Sequence, residues 1–276
     1  MSADLTPEAS SLAVLLEPES PPPPRRRGLR VVGRLVLAAL MVSLAAGTVV
    51  LLDDEKQPPP APRFAVEDVA VSPGEVPPAA GPVPPDLAGW ARRVSDATDI
   101  PVRTLVAYGK AEAKTRTRDP GCNLSWVTLA GVGRVESHHG RYSGTTIGED
   151  GTLSKPIIGV PLDGSPGVQA IPDTDRGTLD GDAQWDRAVG SMQFLPATWS
   201  RWSLRAADDG RAPDPQNVDD SALTAANYLC AVGGDLSTGA GWWRAVLTYN
   251  QSNEYARSVY SGAAAYARKA NELSPR

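Results

Sequence analysis

Apolar residues recur at helical spacing in the region after residue 86. Leu87, Trp90, Ala91 and Val94 follow the i, i+3, i+4, i+7 pattern of an amphipathic helix, and Asp86 stands where a helix N-cap is expected. The same criteria predict further helices at 102–112, 123–137, 196–202, 219–230, 241–250 and 253–271. The pattern therefore predicts a mainly α domain.

Two features interrupt this helical pattern. Residues 141–187 are rich in Gly, Asp and Pro, and only 156–160 resembles a short strand, so a long loop or a small β insertion is predicted. Long loops inside compact domains are usually functional, and we expect this one to line a cleft. Gly131 and Gly133 weaken the helix predicted over 123–137, which indicates close approach of another backbone.

The N-terminal third has a different pattern. The uncharged apolar run 35–52 is long enough to cross a bilayer as a helix, with arginines before it and acids after it. The positive-inside rule then predicts a cytoplasmic disordered tail at 1–30, a signal-anchor helix at 31–52 and an extracytoplasmic remainder, in the cell membrane on the cell-wall side. A cleaved signal peptide is the alternative. Prolines make 53–87 a semi-rigid spacer, which leaves 88–276 as the folded domain.

Composition and charge narrow the function classes. The chain is 41% hydrophobic with a formal net charge of -5, which fits a globular protein and argues against a nucleic-acid partner. Cys122 and Cys230 both lie on the predicted exported side and are expected to pair, although two buried free thiols remain the alternative. Neither cysteine has zinc-site spacing.

Four motifs follow one another along the domain. They are GRVESHHG at 133–140, AVGSMQFLPATW at 188–199, AANYL at 225–229 and YNQSNEY at 249–255. In this order they resemble the lysozyme-like lytic transglycosylases of bacteria, especially the membrane-bound and actinobacterial-type branches, over about residues 88–262. The resemblance implies a lysozyme-like fold, peptidoglycan glycan strands as the partner, and Glu136 as the single catalytic acid and base. We expect no cofactor and no metal.

The position of Glu136 agrees with that role. It lies four residues after Val132 and seven after Leu129, so a helix sets its carboxyl at the end of an apolar stripe. Partial burial would raise its pKa and keep the acid protonated near neutrality, as protonation of a leaving sugar oxygen requires. The alternative is a solvated glutamate at a helix end.

The resemblance also assigns substrate-binding residues. Gln193 matches the site glutamine, which positions sugar hydroxyls or acetamido groups, and Tyr249 and Asn250 match the pair that orients the acetamido group and the catalytic carboxyl. Tyr228 matches a cleft tyrosine, and the Ser137 hydroxyl would hold the catalytic carboxyl. For Ser137 and Tyr228, helix packing or capping is the alternative.

Several other residues are candidate ligands for a metal or a sugar. His138 and His139 point to different faces of a helix, which suits capping or dipole roles better than a metal pair. A solvated loop is favoured over a calcium site for the insertion's acidic residues, and Arg205 and Ala207 stand where a calcium loop of one related branch would have carboxylates. Trp185 is the best sugar-stacking candidate.

Two other functions compete with the transglycosylase. A muramidase-type hydrolase needs a second carboxylate to activate water, which the insertion could supply from Asp173, Asp175, Asp180, Asp182 or Asp186. A non-catalytic peptidoglycan-binding module needs no proton donor, so the presence of Glu136 beside the other motifs argues against it.

Overall fold

The computed structural model describes residues 64–273, and over this range the fold is mainly α. Within that range there are seven α-helices and no β-strand. The helices are α1 (Leu87–Ala97), α2 (Val102–Arg118), α3 (Trp126–Ser137), α4 (Pro196–Trp202), α5 (Val218–Gly233), α6 (Gly239–Tyr249) and α7 (Asn253–Leu273). The mainly α prediction is confirmed. None of the helices in this range is both long and apolar enough to cross a bilayer, and the span predicted at 31–52 lies outside the described residues.

Side-chain caps start three of the helices where the sequence places a small polar residue. Asp86 accepts a hydrogen bond from Gly89 N at 2.9 Å at the start of α1. Asn217 and Thr238 cap α5 and α6 in the same way. Each cap satisfies backbone N–H groups that a helix leaves without an intrahelical partner.

The central helix is α3, and it packs closely against α7. Trp126, Leu129 and Val132 of α3 have no exposed area. A Cβ at Gly131 would lie 2.4 Å from the carbonyl oxygen of Val259, so only glycine permits this approach of the two backbones. The predicted close approach is thus confirmed at Gly131. At Gly133 the neighbour is a side chain instead, the Tyr108 hydroxyl.

The region between α3 and α4 is an irregular insertion. Isolated bridges such as Ile158 with Val189 and Pro172 with Trp185 hold it, without a continuous strand. The long-loop interpretation therefore describes it better than a β subdomain. Elsewhere in the domain, Cys122 and Cys230 form a disulfide with a Cα–Cα distance of 5.3 Å, as expected.

Residues 64–85, which we call the strap, are extended and packed on the helices, so the sequence-based spacer ends too late. The strap offers carbonyl oxygens that the domain binds. Trp243 Nε1 donates to Glu75 O at 2.7 Å, the Tyr260 hydroxyl to Val76 O at 3.2 Å, and Asn271 Nδ2 to Ala79 O at 3.0 Å.

The strap is also anchored at its two ends. The Phe64 ring stacks on Tyr266 at 5.3 Å, and the backbone N–H of Val83 donates to Glu112 Oε1 at 3.3 Å. Prolines remove backbone donors but leave every carbonyl free to accept, which is why a proline-rich segment can bind along a helical surface. The spacer prediction overlooked this property.

Candidate functional site

Glu136 lies in the last turn of α3, where its side chain is half-buried. The Tyr255 hydroxyl, from the first turn of α7, donates to Glu136 Oε1 at 2.5 Å. Burial raises the pKa of Glu136 to about 7, and the hydrogen bond from Tyr255 opposes that rise because it stabilises the carboxylate. Near neutral pH this carboxyl can therefore both give and take a proton.

The chain turns sharply after Glu136. His138, His139 and Gly140 all have positive φ, of 50°, 63° and 84°. His138 is exposed and occupies the C-cap position in a left-handed conformation, so its predicted capping place is confirmed. The His139 imidazole does not cap the helix, because it is fully buried and its two nitrogens are paired with the Tyr108 and Tyr266 hydroxyls. One histidine ring is thus exposed and the other is buried.

The Ser137 hydroxyl is hydrogen-bonded to backbone groups and not to the Glu136 carboxyl. It donates to Ser191 O at 2.5 Å and accepts from Gly140 N at 2.8 Å. The prediction that this hydroxyl holds Glu136 is therefore wrong. The packing and capping alternative describes it, and the bond to Ser191 joins the end of α3 to the loop that carries Gln193.

Gln193 lies in a tight turn between two paired residues. Val189 and Phe194 exchange backbone hydrogen bonds of 2.8 and 3.0 Å across the turn. Gly190 is needed there because a Cβ would lie 1.9 Å from Pro215 O. Gln193 adopts a left-handed φ of 48°, and its Nε2 donates to Gly190 O at 2.9 Å, which leaves Oε1 to accept from a ligand.

Aromatic rings join this turn to α5 and α6. Tyr249 packs against Phe194 and Tyr228, with centroid distances of 5.5 and 5.7 Å, and its hydroxyl donates to Met192 O at 2.7 Å. Burial raises the pKa of Tyr249 well above its ordinary value, and the nearby Glu136 charge adds to that rise. Tyr249 thus lies near the Glu136 carboxyl, and its hydroxyl donates to Met192 O instead.

Asn250 does not contact Glu136 through a hydrogen bond, whereas Tyr255, which was not predicted as a site residue, does. Asn250 is exposed at the C-cap of α6, and no hydrogen bond from its side chain occurs in the described part of the chain. Tyr255, six residues after Tyr249, supplies the hydroxyl to Glu136. The sequence motif contains Tyr255, but only the close packing of α3 on α7 indicates that it reaches the carboxyl.

The insertion's acidic residues bind their own loop. Each of the five carboxylates accepts at least one hydrogen bond from a nearby backbone N–H of that loop. These residues are Asp173, Asp175, Asp180, Asp182 and Asp186. Carboxylate oxygens of three of them, Asp173, Asp175 and Asp186, lie within 4.8 Å of one another and could accept a cation. Trp185 is half-buried in the same loop, and its backbone N–H donates to Asp182 Oδ1.

In the stretch after α4, the positive charge of an arginine side chain lies among carboxylates. The Arg205 guanidinium donates to Asp209 at 2.6 Å and to the fully buried Asp220 at 2.7 Å. Asp220 also accepts from Ala206 N and Asp214 N. The hydrogen bonds and positive charge of Arg205 hold this loop, consistent with the doubt that the sequence raised about a calcium site here.

Comparison with known proteins adds no assignment: no family model, no curated protein and no solved structure matches this chain. What the site can do chemically is therefore inferred from the arrangement of its residues alone. A desolvated carboxyl on a rigid helix end, one phenol bonded to it, and a glutamine turn beside it can bind a polar ligand and move a proton.

Proposed function

We propose that this chain is a peptidoglycan lytic transglycosylase. It cleaves the β-1,4 bond between N-acetylmuramic acid and N-acetylglucosamine and leaves a 1,6-anhydro-N-acetylmuramic acid end. The observation that carries the proposal is the Glu136 carboxyl, with a pKa raised to about 7 and a phenol hydrogen bond from Tyr255. The order of the four sequence motifs supports the choice of substrate.

One carboxyl suffices for this reaction. Protonated Glu136 gives its proton to the glycosidic oxygen as the bond to C1 breaks. The sugar's own acetamido oxygen stabilises C1, as in substrate-assisted glycosidases. The Glu136 carboxylate then takes the proton of the muramoyl 6-hydroxyl as that oxygen bonds to C1, so no water is consumed. Tyr255 stabilises the carboxylate between the two proton transfers.

The other residues have positioning roles in this proposal. The free Oε1 of Gln193 accepts from a sugar hydroxyl or an acetamido N–H. Tyr249 and Tyr228 pack on Phe194 and so support the turn that carries Gln193, and Asn250 is available at the surface for a ligand because it is exposed. Neither a cofactor nor a metal takes part.

The engagement of the insertion's carboxylates favours this reaction over hydrolysis. An inverting hydrolase needs a second carboxylate free to activate water. The candidates accept hydrogen bonds from their own loop, and for Asp182 the bonds from Gln184, Arg187 and Trp185 lower the pKa, which makes this carboxylate a weaker base for activating water.

Product analysis tests the proposal. The purified full chain is incubated with peptidoglycan and the fragments are measured by mass spectrometry. Anhydro ends support the transglycosylase, reducing ends indicate the hydrolase, and binding without cleavage indicates the non-catalytic module. Glu136→Gln keeps the shape and the hydrogen-bonding capacity but cannot exchange the proton, so turnover should fall by about a hundred- to ten-thousand-fold.

A matched variant controls for the loss of charge. Glu67 is exposed in the strap and belongs to none of the four motifs, so Glu67→Gln removes one carboxylate outside the site and should leave turnover unchanged. Near-normal release of anhydro fragments by Glu136→Gln would contradict the assignment.

The same proposal places the domain on the wall side of the cytoplasmic membrane, held by the predicted anchor at 31–52. A reporter that is active only in the cytoplasm, fused after Arg276, should give no signal. A strong cytoplasmic signal would contradict this location.

A further inference from the structure

We propose that His139 is a positioning residue for Glu136: its buried imidazole fixes the turn that ends α3 and thereby fixes the catalytic carboxyl relative to α7. The effect on turnover rests on the proposed function. The effect on the geometry and titration of Glu136 does not, because it follows from packing alone.

The backbone at this turn needs support from its surroundings. His138 and His139 are non-glycine residues in the left-handed region, where an L residue costs about 1–2 kcal/mol. The backbone N–H of His139 donates to Gly133 O at 2.8 Å and closes the helix end. Thr104 Oγ1, from α2, donates to His139 O at 3.0 Å. The turn is thus held from α2 as well as from its own helix.

The imidazole adds a connected chain of hydrogen bonds. Its Nε2 lies 2.8 Å from the Tyr266 hydroxyl, and the Tyr266 hydroxyl donates to Asp99 Oδ1 at 2.9 Å. Because Tyr266 has only one proton and gives it to Asp99, Nε2 carries the ring proton and donates to Tyr266. Nδ1 then accepts from the Tyr108 hydroxyl, 3.2 Å away. The ring is neutral, since burial and the nearby Arg141 and Arg134 charges lower the pKa of His139 well below its ordinary value.

The two tyrosines of this chain of hydrogen bonds lie on different helices. Tyr266 belongs to α7, about three turns after Tyr255 in the first turn of the same helix. The Tyr108 hydroxyl packs directly against α3 at Gly133. A Cβ at that position would lie only 1.9 Å from the hydroxyl and 3.3 Å from Met192 Sδ. Gly133 is one turn before Glu136. The imidazole therefore connects α2, the end of α3 and α7, and it does so from the turn that directly follows Glu136.

The decisive variant is His139→Asn, with His138→Asn as its matched control. Asparagine tolerates the left-handed conformation, so both variants keep the backbone and remove one ring. The control residue is adjacent, also left-handed, and exposed. In His139→Asn, kcat should fall by about ten- to a hundred-fold with little change in KM, because a displacement of about 1 Å can cost about a hundred-fold. The control should match the wild type.

A second readout needs no activity. In the full chain labelled with ¹³C at glutamate carboxyls, the Glu136 signal is identified by its loss in Glu136→Gln and titrated. In His139→Asn, water should reach the loosened helix end, so the pKa of Glu136 should fall from about 7 toward the ordinary 4.5. If the wild type releases no anhydro fragments, the proposed function fails, and this titration still decides the role of His139.

Tyr266→Phe gives a test that keeps the core filled. It removes only the hydroxyl that joins His139 to Asp99, and Tyr260→Phe on the same helix removes a hydroxyl that bonds to the strap instead. We expect Tyr266→Phe to shift the Glu136 titration in the same direction as His139→Asn, and it decides the matter if His139→Asn does not fold. A Glu136 titration and a kcat that match those of the wild type in the folded variants would overturn the inference.

Discussion

The raised pKa of Glu136 should make the stability of the protein depend on pH, and Glu136→Gln should remove that dependence. In the unfolded chain this carboxyl titrates near its ordinary 4.5, and in the folded chain near 7. Between these values the folded state keeps a proton that the unfolded state has lost. The contribution of this group is therefore fully present below pH 4.5 and is lost as pH rises through about 7.

The magnitude follows from the difference between the two pKa values. At about 1.36 kcal/mol per pKa unit, a difference of about 2.5 corresponds to about 3 kcal/mol. Glutamine carries no titrating proton, and its amide oxygen can still accept from Tyr255. The free energy of unfolding of Glu136→Gln should thus rise relative to that of the wild type by up to about 3 kcal/mol between pH 4.5 and pH 8.

Urea unfolding of the full chain in a non-ionic detergent, followed by tryptophan fluorescence at pH 4.5, 6 and 8, measures this difference. Glu67→Gln, at an exposed position of the strap, controls for the removal of one negative charge. A stability difference between Glu136→Gln and the wild type that is the same at all three pH values would refute the argument that burial raises the Glu136 pKa.

Three further predictions concern single contacts. Tyr255→Phe removes a hydrogen bond to a carboxylate worth about 1.5–3 kcal/mol, so the pKa of Glu136 should rise further above 7 in the ¹³C titration, and a fall would contradict this. Replacing both Cys122 and Cys230 by alanine opens a long loop and should lower the free energy of unfolding by up to about 5 kcal/mol in urea; an unchanged midpoint would contradict it. Gly131→Ala should lower the thermal midpoint by several degrees, at about 4 °C per kcal/mol, because its methyl group meets an α7 carbonyl, and a midpoint equal to that of the wild type would argue against this packing.

Local signals in the sequence predicted the helices well. Asp86 and the apolar spacing that follows it act within one or two turns, so α1 begins where it was expected. The glycine at 131 indicated a close helix contact because a missing side chain in a helix is costly without a packing reason. The spacing of Glu136 after Leu129 and Val132 predicted a partly buried carboxyl at the end of the helix, and Glu136 is half-buried in the last turn of α3.

Long-range partners could not be read from the sequence. The hydroxyl of Ser137 has several acceptors within reach, and only the position of Ser191 in the folded chain decides among them. The contact of Tyr255 with Glu136 joins residues 119 positions apart. The burial of His139 depends on a left-handed turn that histidine adopts rarely, so no residue preference indicates it.

The docked strap sets where the folded domain begins, and therefore how many residues separate that domain from the predicted anchor. If residues 64–85 were a free spacer, they would add about 70 Å of extended chain, at about 3.3 Å per residue. Because the strap is bound to α6 and α7, only about twelve residues separate the end of the apolar run at Leu52 from Phe64, and these can span at most about 40 Å. If the proposed anchor and the proposed function both hold, the chain between the anchor and the folded domain is thus about 70 Å shorter than the sequence-based spacer implies.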